Sequence, residues 1–223
     1  TDFGDLTWDS YNSTGCGTAL RGIFTGGASP LQDSIDYIAI ASTGNGTDFG
    51  NLTNTTDYRM SASNPIRALH AGGSPTINTI DYITMASLGD ATDFGNLTRT
   101  SANTDAGMAS HTRGVFAGGG DPAYSNVIDY VTIMSTGNAA DFGDLLSTKG
   151  YITGESNCVR GILGGGQTPK VNTIQYVNIA STGNAVDWGD MTVTERARGA
   201  ASNGHGGINT TSLAVRPSVN YMP

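Results

Sequence analysis

Charge is scarce in this chain. Only 13% of its 223 residues are charged, and glutamate and lysine occur twice each, as Glu155, Glu195, Lys149 and Lys170. Helices draw heavily on Glu, Lys and Leu, so this shortage, beside abundant Gly, Thr, Ser and Asn, predicts many short strands joined by tight turns. Basic residues are scarcer than acidic ones, and the net charge of −8 disfavours nucleic acid and anionic membrane surfaces as partners. No apolar run approaches the ~20 residues of a membrane helix, so no membrane insertion is expected. The two cysteines, Cys16 and Cys158, stand in unrelated surroundings and are read as free thiols, not as a disulfide framework. There is no initiating Met and no signal-like segment, so an excerpt or a processed product is expected.

What is present is a repeat. TDFGDLT at Thr1–Thr7 recurs as TDFGNLT at Thr47–Thr53 and Thr92–Thr98, ADFGDLL at Ala140–Leu146 and VDWGDMT at Val186–Thr192. The aspartates Asp2, Asp48, Asp93, Asp141 and Asp187 are 46, 45, 48 and 46 residues apart. A period of that length makes each copy one supersecondary unit that buries its apolar surface only against its neighbours. Four strand-like pieces fill each unit. The first is small and polar (CGTA, SASN, MASH, GESN, AASN). The second runs from Arg21, Arg67, Arg113 or Arg160 to a Gly-Gly pair that permits a turn. The third is apolar on both faces (SIDYIAI, TIDYITM, VIDYVTI, TIQYVNI), as in a sheet covered on both sides. After an STGN-type turn, the DFG segment forms the fourth.

The fifth unit aligns without gaps and places SVNYM, Ser218–Met222, as its third strand. Thr1–Thr7 is a fourth strand without a unit. The two ends complement each other, which predicts one all-β domain over residues 1–223. The expected form is a five-bladed β-propeller with four-stranded blades, its ring closed non-covalently by residues 1–7 in the fifth blade. The Gly-Gly strand end, the preceding Arg and the aromatic of the fourth strand resemble kelch repeats over the whole chain. The combination of IDY, STGN and DFGDLT is similar to kelch-like repeat proteins of marine tailed bacteriophages of the cyanophage type. That resemblance implies a virion- or tail-associated, extracellular, host-facing role, with a host-surface glycan or another virion protein as partner. The fifth unit departs from the pattern at Gly206, Thr211–Ser212 and Asn220, and the fourth at Gln175.

The chemistry-bearing residues point to scaffolding. A fivefold DFG without kinase companions is structural, its aromatic packing between blades and its Gly marking a bulge or close approach. Two carboxylates per DFG loop are too few for a calcium site. The repeated Arg (21, 67, 113, 160) and third-strand Asp36, Asp81, Asp129 or Gln175 are expected to pair within a blade. His70, His111 and His205 occupy different repeat positions without metal spacing. No catalytic residue, metal or cofactor is therefore expected. A five-bladed glycosidase would need two carboxylates converging near the axis, where the inner strands offer Glu155, with Asp57, Asp105 and Glu195 nearby.

Function is expected on one face. Loops joining strands two to three and four to one share an end of the ring and differ in every unit, whereas the STGN end is monotonous. The variable face carries Trp8, Tyr11, Tyr58, Tyr124 and Tyr151 as candidate ligand-binding aromatics, able to stack on sugar rings. Tyr11, Tyr58 and Tyr151 have nearly equivalent offsets, which also fits packing on the next blade. The reading is a non-catalytic binding or structural module; a soluble lectin-like or protein-scaffolding propeller is the alternative, and a glycosidase the third.

Overall fold

The computed structural model describes residues 2–102, 106–120, 123–196 and 199–202. All regular elements among them are strands, arranged as four antiparallel four-stranded sheets whose order in space follows the chain. The first holds β1 (Thr14–Gly17), β2 (Arg21–Thr25), β3 (Ser34–Ala39) and β4 (Thr47–Asn51). The second holds β5 (Met60–Ser63), β6 (Arg67–Ala71), β7 (Ile77–Thr84) and β8 (Thr92–Ser101). The third holds β9 (Ala106–Ala109), β10 (Arg113–Ala117), β11 (Ser125–Thr132) and β12 (Ala140–Lys149). The fourth holds β13 (Thr153–Ser156), β14 (Arg160–Gly164), β15 (Val171–Asn178) and β16 (Val186–Glu195). The architecture is all-β and propeller-like, each sheet a blade. The third strand of the fifth unit, Ser218–Met222, lies outside the described residues.

The core lies between the blades, as the two-sided apolar third strands require. One apolar cluster joins Ile23, Ile35, Phe49 and Leu52 of the first blade to Ala68, Ile83 and Met85 of the second. A second sets Leu69, Ile80 and Phe94 against Phe116, Val131 and Ile133. A third sets Val115, Ile128 and Phe142 against Leu163, Val177 and Ile179. Burial at each seam draws on the dominant favourable term in folding.

Inner strands are small because they converge. Ser61 and Ser63 donate their hydroxyls to the carbonyls of Gly15 and Gly17, and Ser156 to that of Ala109, at 2.8, 3.1 and 3.0 Å. Ser202 of the fifth unit repeats the contact on the Ser156 carbonyl at 2.6 Å. A Cβ on Gly107 would collide with the Ser61 carbonyl, so only glycine fits where β9 meets β5.

The DFG segments clasp the next blade. The Phe49, Phe94 and Phe142 carbonyls accept from Gly89, Gly137 and Gly183 N–H at 2.8, 2.7 and 2.8 Å. Asp90, Asn138 and Asn184 Oδ1 accept the N–H of Asn51, Asn96 and Asp144 at 2.9, 3.1 and 3.0 Å. The STGN-type turns are therefore interblade fasteners as well as hairpin ends. A bulge beside each DFG glycine shifts the register, and Gly50, Gly95 and Gly143 sit at φ near +146° against the carbonyl of that turn. Residues 2–7 make the same clasp on the first blade, with Gly44 N–H to the Phe3 carbonyl at 2.8 Å and Gly46 N–H to that of Asp5 at 2.7 Å.

Two expectations are corrected. The repeated arginines do not pair with the third-strand carboxylates of their own blade. Arg21, Arg67, Arg113 and Arg160 lie 4.8, 4.3, 4.8 and 5.0 Å over Tyr37, Tyr82, Tyr130 and Tyr176. Arg21, Arg67 and Arg113 also donate to the carbonyls of Met85, Ile133 and Ile179 in the following blade. The carboxylates serve the preceding blade instead: Asp36, Asp81 and Asp129 accept the hydroxyls of Thr7, Thr53 and Thr98 at 2.8, 2.5 and 2.6 Å. Where Leu146 replaces that Thr, only an N–H is offered, and Gln175 Oε1 accepts it at 2.9 Å. Second, β8, β12 and β16 are ten residues long each and run on past the DFG segment into stretches expected to be loop. Their Thr-rich continuations pair with the starts of β7, β11 and β15.

Candidate functional site

The first strands of the four sheets line a half-open cavity of about 470 Å³, called axial below for its place among the inner strands. Its wall is assembled from the first strand of every described blade and from Gly199, Ala200 and Ser202 of the fifth unit. Asn12, Thr14, Ser61, Ser63, Thr153 and Glu155 are among the residues that line it. Glu155 Oε1 accepts the Ser156 N–H at 3.0 Å.

The connections from outer to inner strand enter at one end of this cavity. There the tyrosines converge. Tyr58 meets Tyr151 edge to face at 5.8 Å between ring centroids, and Tyr124 meets Tyr151 at 6.3 Å. Tyr124 lies on Gly150, where a Cβ would run into its ring. Arg196 Cζ stands 5.3 Å over Tyr151. Tyr58 itself borders the cavity. Both Tyr58 and Tyr151 hold positive φ, 53° and 55°, a conformation that bulky residues rarely adopt. The first blade has Asn12 at the same offset with φ 60°, a residue that tolerates it. The Tyr58 N–H donates to the Asn12 carbonyl at 3.2 Å, linking the two neighbouring connections.

No protein-family model matches the chain, and no curated protein does. The site is therefore read from its own chemistry.

Three of the five sequence-derived aromatics thus form one cluster, and two do not join it. Tyr11 projects from the first blade with 60% of its surface exposed, its backbone bridged to Ala28. Trp8 is half-buried, with its indole Nε1 enclosed and without a hydrogen-bond partner among the described residues. Of the carboxylates considered for glycoside chemistry, Glu155 borders the cavity; Asp57 is buried and accepts from Asn12 Nδ2 at 3.1 Å, and Asp105 lies outside the described residues.

A buried polar group that the repeat did not announce lies between the first two blades. Arg59 Nη1 bonds Asp81 Oδ2 at 2.7 Å, with both side chains almost fully enclosed. His70 Nδ1 pairs with Thr25 Oγ1 at 3.2 Å. Burial, reinforced by the Arg59 charge, pushes the His70 imidazole down to about 3, so it is neutral at ordinary pH. The signal was in the sequence: His70 stands where the third and fourth blades have Phe116 and Leu163. At the cavity wall, burial pushes the Cys16 thiol up to about 12, which keeps it unreactive. Among the described residues no cluster of three or more His, Cys, Asp or Glu side chains is arranged to hold a metal.

Proposed function

We propose that this chain is a non-catalytic binding or structural module, a five-bladed ring carried on a phage particle. Its variable-loop face contacts a host-surface glycan or another virion protein. The observation that carries the binding reading is the cluster of Tyr58, Tyr124 and Tyr151, drawn together from three different blades, with Tyr58 lining the cavity. Rigid strands fix those loops in place, and aromatic anchors at such positions carry most of the energy of recognition. A strained backbone under two of the rings supports a functional reason for keeping them. The phage setting rests on the sequence resemblance alone.

Glycan-array binding by the purified chain, repeated with Tyr124→Ala, tests the face. Signal from the parent chain that falls about tenfold or more in the variant is expected. Binding that survives Tyr124→Ala but disappears with substitutions on the STGN-type turns would reverse the face assignment.

The fifth blade and ring closure belong to the same proposal. Two contacts support it: Ser202 extends the inner collar beyond β13, and residues 2–7 clasp the first blade as each fourth strand clasps its successor. Deleting residues 1–7 should lower the melting temperature by several degrees, because it strips the Thr7 donors from the buried Asp36 carboxylate. An unchanged transition would defeat closure.

A further inference from the structure

We propose that the axial cavity is itself a ligand site and takes one neutral sugar residue, admitted past Tyr58, Tyr124 and Tyr151. The inference rests on the binding reading above and narrows it to a place and a ligand class.

Size comes first. About 470 Å³ lies within the range of small-molecule sites, roughly 300–1,000 Å³. The wall chemistry then selects among small ligands. Asn12, Thr14, Ser61, Ser63, Thr153 and Glu155 line the space; the serine hydroxyls that donate to neighbouring carbonyls still have lone pairs to accept with, and this residue set can exchange hydrogen bonds with hydroxyls in either direction. A carboxylate suits adjacent sugar hydroxyls because it can accept from both. Charge narrows the class further. Arg59 also borders the cavity, but its guanidinium is matched by Asp81 and bonded to Thr56, so it offers no surplus positive charge. With Glu155 on the wall and a net charge of −8, an acidic sugar would be repelled.

The entrance supplies the remaining element. Sugars present C–H faces that pack on aromatic rings, and tyrosine adds a polar tip. Two of the three tyrosines stand on backbone that favours Gly or Asn, as Asn12 shows at the equivalent place in the first blade. A ring held on such backbone beside the cavity is the kind of strain that accompanies a binding role.

The test is ligand-observed NMR and calorimetry on the full chain with methyl pyranosides of glucose, galactose, mannose, N-acetylglucosamine and fucose. Methyl glucuronide and tetramethylammonium are run alongside. Two variants decide the location. Tyr58→Asn copies the first blade, and Ser13→Trp plugs the cavity from an exposed wall position. At least one neutral pyranoside should bind, both variants should weaken it about tenfold or more with little change in melting temperature, and methyl glucuronide should not bind. If Tyr58→Asn does not fold, Ser13→Trp alone carries the decision. Absence of binding by every neutral pyranoside overturns the inference, as does binding of tetramethylammonium in their place. A glycan-array signal that persists in Ser13→Trp overturns the cavity site while leaving the binding function standing.

Discussion

The DFG segments that lie between two described blades and the first and last DFG segments carry the same repeat, yet they differ sharply. Phe49, Phe94 and Phe142 are 3, 2 and 2% exposed, whereas their equivalents Phe3 and Trp188 are 40 and 51% exposed. The fourth-strand aromatic still meets its own third-strand tyrosine edge to face in every described blade, Tyr176 and Trp188 included, at 5.4–6.1 Å. Trp188 has Tyr176 of its own sheet beside it but no next blade among the described residues, whereas Phe3 clasps the first blade while the third strand of its own unit lies outside the described residues. Burial at this position therefore takes both the carrying sheet and the adjacent unit. The repeat therefore specifies two things separately: a blade, through local pairing, and a seam, through groups that have no use until the next copy arrives.

The DFG glycines break this comparison most directly. In Gly95→Ala the new Cβ would stand 2.5 Å from the Gly137 backbone, on a φ of +145°. In Gly189→Ala the φ is +143° and nothing lies within 4 Å among the described residues. The first should cost about 3 kcal/mol or more, from collision plus backbone strain, and the second only about 1 kcal/mol, from strain alone. Urea unfolding of the two variants measures the difference. Equal losses would put a neighbour against Gly189 and erase the distinction between interior seam and flank.

A subtler exchange probes the interior seams alone. Asp129 receives both the N–H and the hydroxyl of Thr98, whereas Gln175 receives only the N–H of Leu146. Burial already lifts the Asp129 carboxyl above its ordinary range, against the bonds from Thr98. Gln175→Asp should therefore destabilise by about 2 kcal/mol, because it buries a carboxylate with one donor where two are needed. Adding Leu146→Thr should restore about 1 kcal/mol or more, although Leu146→Thr alone should change little. A double-mutant cycle with no coupling would mean that the Thr–carboxylate bond does not fasten the seam.

That pair also shows what the sequence could and could not reveal. The repeat, the four strands per unit and the close approach at the DFG glycine were legible, because each depends on spacing or composition within one unit. Arg21 and Asp36 look like partners on the same grounds, and are not. Their contacts reach Met85, 64 residues on, and Thr7, 29 residues back, so a reading confined to one unit misassigns both. The clue was the joint departure of Leu146 and Gln175 in the same seam, set against Arg160, which stays. The tyrosine cluster was half legible: loop variability marked the face, but nothing in the local sequence shows that residues 58 and 151 take positive φ or that residue 124 folds over Gly150. Trp8 and Tyr11 were included by residue type, and type alone does not say where a loop carries its ring.

The smallest expected effect distinguishes one interior seam from the others. Phe116 and Leu163 fill equivalent places with hydrocarbon, while His70 fills its place with an imidazole held to Thr25. In the unfolded chain that imidazole takes a proton near its ordinary 6.5; in the folded chain burial delays protonation until about 3. Between these values the unfolded state binds the additional proton, so stability is complete above pH 6.5 and declines as the pH falls toward 3. By pH 5.5 the loss from this residue should be about 1.4 kcal/mol relative to pH 7.5. His70→Phe, which copies the third blade, removes the titrating group, so its stability should fall less than the parent's over the same interval. Urea midpoints at pH 7.5 and 5.5 for both proteins give the comparison. Parallel pH dependences would mean that His70 is solvated in the folded chain, and that the first seam is not closed around a neutral imidazole as its geometry requires.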